Sequence, residues 1–201
     1  MTSAPTTSNT QRRGDLRRQR LKQAVTSLLA EQSFDVITYR EIAALADLPL
    51  ASCYHFYPSK LALVRSIADD MTDEYLRKVF DSSIYQGIDT LEDLLKQWIA
   101  IAASHHMKSL AELEIFFGAD IPMSVRNDSL EREKLIALRL LSLIEDCLGD
   151  VALKQPSNVL YYAIELARTC LALDYQEHRQ LTPEGIERAQ IAATTYTLAH
   201  M

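Results

Sequence analysis

The stretch ITYREIAALADLPLASCYHFYPSK, residues 37–60, holds the start and stop signals of two short helices in immediate succession. Thr38 and Glu41 make a capping box, in which each side chain satisfies a backbone N–H left over at a helix start. Ile37 and Ile42 occupy the two positions of a hydrophobic staple across that start. The spacing predicts a helix from Tyr39 to about Ala46, burying Ile42, Leu45 and Ala46. Asp47 falls at the bend, and Asp is one of the few residues with a side chain that tolerates left-handed backbone. Pro49 suits the first turn of a third helix, about 49–56, where a missing N–H costs little. Pro58 then stops that helix, and Ser59 can cap a fourth.

Cys53 and His55 stand close in this stretch, which raises the possibility of a thiolate nucleophile or half a metal site. Two residues apart on a helix, their side chains diverge by about 200° and share neither a proton nor a metal. Cys53 and Tyr57, four apart, face back to a small core with Leu48. Cys53 therefore reads as a small buried hydrophobe. Ala51, Tyr54 and His55 point the other way.

Upstream, Leu21, Ala24, Val25, Leu28 and Leu29 follow a helical stripe and predict a first helix over about 15–31. Phe34 and Ile37 add to its core. Residues 2–10 are dominated by Ser, Thr, Pro and Asn, so residues 1–14 are expected to be a disordered arm. Within 11–22 lie Arg12, Arg13, Arg17, Arg18, Arg20 and Lys22 against a single acid, Asp15. The 201-residue chain is acidic overall, at −6, but residues 1–60 carry eight basic and five acidic side chains, or +3. The remainder holds 13 basic and 22 acidic residues, or −9. A basic front end joined to an acidic body suggests two jobs.

Downstream, the pattern stays helical. Leu61, Val64, Ala68, Met71 and Tyr75 share one face of a long helix over about 60–82, punctuated by Gly87. Asp89 and Glu92 open a fifth helix with the stripe Leu91, Leu94, Leu95, Trp98, Ile99 and Ala102. Further helices are expected over about 109–117, 127–148, 156–179 and 183–199, the last with Thr182 as cap and Pro183 in its first turn. No alternating strand pattern, repeat or phosphate-binding glycine loop occurs. The expectation is an all-α chain: a helix-turn-helix over 15–60 and a helical body over 61–201.

Three short helices, a tight bend and a basic lead-in describe a module whose last helix enters the major groove of DNA. On the Phe34 and Thr38 positions, REIA at 40–43, Leu48, Tyr54 and FYPSK at 56–60, residues 16–64 resemble the TetR family of bacterial repressors. That resemblance implies DNA contacts from Thr38, Tyr39 and Arg40, and a recognition surface of Leu50, Ala51, Ser52, Tyr54 and His55. It also implies phosphate contacts from Tyr54 and Lys60. The chain departs from the family pattern at Ser33 and Asp47, where glycine is usual, and at Cys53, where leucine is usual. Leu50 and Ala51 stand where polar or small residues are common. They cannot donate to a base edge, so they imply contact with thymine methyls and shape readout.

The resemblance further implies a homodimer, paired through the last two helices on a palindromic operator, and a small-molecule effector. Ala189, Ala192, Ala193 and Ala199 would allow close backbone approach in that pairing. Large apolar groups with a few polar ones suit a ligand cavity. The candidates are Trp98, His105, His106, Met107, Phe116, Phe117, Met123, Tyr161, Tyr162 and Glu165. His105 and His106 are about 100° apart on a helix, so one of them can face the cavity. No cofactor is expected. Asp174 and His178 have metal-ligand spacing but no third partner nearby, and no metal is expected. Three widely spaced cysteines suit reduced thiols in a cytoplasm, and neither a secretory signal nor a membrane span is read. No HExxH, GxSxG, P-loop or dinucleotide fingerprint suggests an enzyme. The competing readings are a helical protein-interaction module without DNA binding and a small-molecule-binding enzyme.

Overall fold

A computed structural model describes residues 6–122, 125 and 130–201, with side chains for 11–122, 125 and 133–201. Among the described residues the chain is all-α. Its helices are α1 (Thr6–Glu31), α2 (Tyr39–Leu45), α3 (Leu50–Phe56), α4 (Lys60–Val79), α5 (Leu91–His106), α6 (Leu110–Phe117), α7 (Leu130–Leu148), α8 (Pro156–His178) and α9 (Pro183–Leu198). A short 3-10 turn, Ser82–Tyr85, follows α4 in place of the last turn expected of that helix.

The local signals are used as the sequence suggests. Thr38 Oγ1 accepts from the Glu41 N–H at 3.2 Å, and the Thr38 N–H donates to Glu41 Oε2 at 2.7 Å. Ile37 and Ile42 are both buried, and Asp47 adopts a left-handed φ of 53°. Thr182 caps α9 with Pro183 behind it. At α5 the cap is Thr90, accepting from the Asp93 N–H at 3.1 Å, one residue beyond the expected Asp89–Glu92 pair. A hydroxyl one position nearer the first apolar residue captures the same orphan donors.

Two expectations are corrected. Helix α1 starts at Thr6, so residues 6–14 of the expected disordered arm are helical, with Gly14 inside the helix. Leu45 is exposed and Ala43 is buried in its stead. The unbroken apolar run Ile42–Ala46 leaves the buried face of this short helix and its cap open by one residue, and packing in the front core selects Ile42, Ala43 and Ala46.

The front module packs Leu21, Ala24, Val25 and Leu29 of α1 onto Ile42, Cys53, Tyr57 and the first half of α4, through Leu63, Val64 and Ile67. A larger core fills the body, centred on Leu94, Leu95 and Ile99 of α5 with Leu160, Ala163 and Leu171 of α8. Helix α6 belongs to both: Ala111 and Ile115 face the front core, whereas Leu113 and Phe117 face the body. Helix α4 likewise starts in one core and ends in the other.

Lys60 ties the front module together. Its Nζ donates to the Phe34 carbonyl and, at 2.6 Å, to the Ile37 carbonyl, and it sits 4.0 Å from the Phe34 ring centroid. Burial pulls its ammonium below the ordinary lysine value, with Asp35 and Glu41 opposing. The α1–α2 corner has carbonyls no helix can pair, and a cation on the next long helix satisfies two of them. Lys60→Met should lower stability by about 1–3 kcal/mol in urea unfolding. Unchanged stability would mean that the ammonium stays in solvent, available to a phosphate.

Candidate nucleic-acid interface and ligand cavity

Helix α3 is held from behind and open in front. Cys53 is fully buried and Tyr57 nearly so, whereas Ala51, Tyr54 and His55 are exposed, Tyr54 by 49%. Burial pushes the Cys53 thiol above its ordinary value, so it stays protonated and inert. Ser52 and Leu50 are half-buried, and Leu50 leans on the core behind it. The Tyr39 hydroxyl donates to two carbonyls of α3 and its exit, Cys53 at 3.1 Å and Tyr57 at 2.7 Å. Burial pushes its pKa up to about 12. Its ring meets Tyr54 edge-on, with centroids 4.8 Å apart. Tyr39 thus holds the outward helix in place, while Arg40 and Thr38 remain on the surface beside it. The Thr38 hydroxyl is engaged in its cap.

The basic section of α1 runs alongside. A side chain at Gly14 would stand 3.9 Å from the Phe56 ring, and the Arg18 guanidinium lies 5.3 Å from the centroid of that ring. Arg12, Arg13, Arg17, Arg18 and Arg20 are all exposed. Two cations of the expected DNA surface are directed inward. Lys60 is spent on the carbonyls described above, and Lys22 Nζ binds Asp70 at 2.5 Å and the Ser66 carbonyl at 3.2 Å. Both are long-range pairings that local sequence does not announce.

A cavity of about 120 Å³ lies where the two cores meet. Ala68, Thr72 and Tyr75 of α4 form one wall; Ile115, Phe116 and Phe117 of α6 form another. Trp98 and Ile99 of α5 and Ile164 and Leu171 of α8 close the back. Of the sequence candidates, the structure brings Trp98, His106, Phe116, Phe117 and Glu165 to this cavity. It leaves out His105, the exposed Met107, and both Tyr161 and Tyr162. Met123 lies outside the described residues.

The two histidines divide as their 100° separation suggests. His106 stacks on Tyr75 at 5.3 Å, with its Nδ1 2.9 Å from Glu112 Oε1. His105 turns away, buried, its Nε2 3.5 Å from the same oxygen, and burial pulls its pKa down. The sequence reading missed Glu133 and Arg168. Arg168 Nε lies 3.3 Å from Glu165 Oε1 and 3.9 Å from Glu133 Oε1, so one cation stands between carboxylates of α7 and α8. The i, i+3 spacing of Glu165 and Arg168 was a visible sign of half this cluster.

The outer surfaces of α8 and α9 carry an apolar stripe. Tyr162, Leu166 and Leu173 recur on α8, and Ile191 and Leu198 on α9, all exposed. The rings of Tyr162 and Tyr196 lie 6.3 Å apart across the two helices. Ala189 and Ala193, expected at an interface, are instead buried within the chain's own core. Asp174 and His178 are 3.8 Å apart, but the Asp174 carboxylate accepts from Thr182, and no metal-holding cluster occurs among the described residues. No described helix is long and apolar enough to cross a membrane.

No protein-family model matches the sequence, and no curated protein matches it. The fold does match solved structures. A TetR-family transcriptional regulator from Streptomyces coelicolor superimposes with a TM-score of 0.63 at 21% identity, over 92% of this chain and 99% of that one. A TetR transcriptional regulator from Rhodococcus sp. RHA1 gives 0.61 at 14% identity, over 90% and 96%. A TetR family transcription regulator from Marinobacter aquaeolei VT8 gives 0.57 at 18%, over 92% and 97%. Helix-turn-helix and body thus share the architecture of these regulators along nearly the whole chain.

Proposed function

We propose that the chain is a homodimeric, effector-responsive transcriptional regulator of the cytoplasm, a repressor released from a palindromic operator by a small molecule. The observation that carries this reading is the α3 surface. A short helix is locked from behind by Cys53, Tyr57 and the Tyr39 hydroxyl, presents Ala51, Tyr54 and His55 outward, and is flanked by exposed arginines of α1. Phosphate contacts from those arginines supply affinity and register, and α3 supplies base contacts. Arg12, Arg13, Arg17, Arg18 and Arg20 replace Lys60 as the phosphate-binding cations of this reading.

Coupling follows from shared helices. Helix α4 lines the cavity with Ala68, Thr72 and Tyr75 and begins four residues after α3 ends. A ligand that prefers one packing of α4 against α6 shifts the position of α3, and DNA binding reciprocally changes ligand affinity.

Selection of bound genomic fragments, followed by affinity measurements across a salt series, tests the DNA reading. The expected complex weakens steeply with salt. Tyr54→Ala should weaken it about tenfold. Converting the five α1 arginines to glutamine should flatten the salt slope by about 0.9 for every phosphate those side chains neutralise. A folded protein that retains no fragment would instead be a protein-interaction module.

A further inference from the structure

The two ring nitrogens of His106 have different surroundings. Nδ1 lies 2.9 Å from Glu112 Oε1, and the Glu112 side chain is only 9% exposed. Glu112 belongs to the first turn of α6, a place that suits a negative charge. A carboxylate accepts and cannot donate, so it holds a proton at Nδ1 of this ring. His105 is arranged to match: Lys108 Nζ lies 3.4 Å from its Nδ1, and its Nε2 lies 3.5 Å from the same Glu112 oxygen. With the proton at Nδ1, the neutral His106 ring carries a lone pair at Nε2. That nitrogen has no partner among the described residues, yet it keeps accessible surface. The ring lines the cavity, and so do Tyr75, Phe116 and Phe117, which pack around it at 5.3, 5.0 and 5.2 Å between centroids. Its open edge therefore faces the cavity. Other polar side chains of the lining are engaged already. The Thr72 hydroxyl donates to the Ala68 carbonyl at 2.7 Å, and Arg168 lies against Glu165 and Glu133.

From the open imidazole edge and the aromatic walls around it, we infer that the effector is a small aromatic ring bearing a hydroxyl group, whose O–H donates to His106 Nε2. This deepens the effector-cavity reading above and rests on it. Size follows from volume: an apolar cavity of about 150 Å³ accommodates benzene, and this one is about 120 Å³. The ring follows from the walls, where Tyr75, Trp98, Phe116 and Phe117 offer faces and edges to another aromatic group. The donor follows from the tautomer. Glu112 is a positioning residue here: by taking the Nδ1 proton it leaves Nε2 as an acceptor, and an entering O–H satisfies it.

Phenol, toluene and benzoate separate the possibilities when titrated into the full-length protein. Toluene replaces the hydroxyl by a methyl group of similar size, and benzoate replaces the donor by an anionic acceptor. In ¹⁵N-labelled protein the His106 Nε2 resonance should move upfield with phenol and stay in place with toluene. His106→Phe keeps an aromatic ring and removes the acceptor. It should weaken phenol binding about tenfold and leave toluene binding nearly unchanged. In Glu112→Gln the amide can meet the ring with its oxygen or its nitrogen, so either tautomer is allowed. The Nδ1 and Nε2 resonances, well separated in the wild type, should then draw together.

If toluene binds but phenol does not, or if phenol binds and leaves Nε2 unmoved, the donor assignment is overturned and the cavity reading stands. Benzoate bound more tightly than phenol also overturns it, because the ring would then be an imidazolium holding an anion. If none of the three probes binds, the effector-cavity reading fails and this inference fails with it. The ¹⁵N comparison of phenol with toluene uses the wild-type protein, so it decides even if His106→Phe does not fold.

Discussion

On the proposed homodimer, Leu173→Glu and Ile191→Glu are each expected to give a monomer and to remove the proposed operator binding, while leaving the fold of the chain intact. Leu173 is 62% exposed and Ile191 55%, so in an isolated chain either glutamate would sit in water and change stability by no more than about 0.5 kcal/mol. Buried between the two copies of the proposed dimer, the same carboxylate loses its hydration. Two-fold symmetry then places a second copy in the interface. A penalty of several kcal/mol per buried unpaired charge, counted twice, raises the dimer dissociation constant by about a thousandfold or more. The stripe Tyr162, Leu166 and Leu173 beside Ile191 and Leu198 is where that interface is proposed, because contiguous apolar surface of this kind on a folded chain signals association.

Sedimentation of the two variants, with helix content checked by circular dichroism, decides the matter. A monomer can grip one half-site only, so operator affinity should fall with the dimer. Variants that sediment as dimers would move the interface off α8 and α9 altogether. Leu110→Glu, an equally exposed leucine on α6, is the control that should change nothing.

What the sequence disclosed was chemistry confined to a few neighbouring residues. The Thr38–Glu41 box, the left-handed bend at Asp47 and the Thr182–Pro183 start are decided within one turn of chain, and each occurs where its residues demand. The outward face of α3 was equally legible, because Cys53 and Tyr57 fix which side is inward. Side chains that act across the fold were not. Lys60 looks like a surface cation until Phe34 and Ile37 are brought to it, and Lys22 until Asp70 is. The cavity divides the same way. Trp98, Phe116 and Phe117 could be named because large apolar groups need cover, whereas the Glu133–Arg168 pairing joins helices 35 residues apart. Helix α1 runs through Gly14 to Thr6, a start that the Ser-, Thr- and Pro-rich composition of residues 2–10 does not announce.

Gly185→Ala should destabilise the protein by about 2–5 kcal/mol, the reverse of what helix propensity alone dictates. Alanine is favoured over glycine inside a helix by up to about 1 kcal/mol. At Gly185, however, an added Cβ would collide with the Asp174 carboxylate. That carboxylate is fully buried at the last turn of α8 and closes the α8–α9 corner, accepting from the Thr182 N–H at 2.6 Å and the Thr182 hydroxyl at 2.8 Å. Thr182 Oγ1 in turn accepts from the Gly185 N–H at 3.0 Å, capping α9. A methyl group there must displace a buried charge from its donors, adding overpacking strain to the loss of charge-assisted hydrogen bonds. In a chain of this size each kcal/mol of stability removed lowers the melting temperature by about 2–4 °C. Denaturation should be compared at one protein concentration, because the proposed dimer would contribute to apparent stability. Asp174→Ala removes the obstacle as well as the cap, so its effect and that of Gly185→Ala should be far from additive. The double variant should be little worse than Asp174→Ala alone. Additive losses would mean that Gly185 and the Asp174 carboxylate act independently, and that the corner relieves the contact by moving apart.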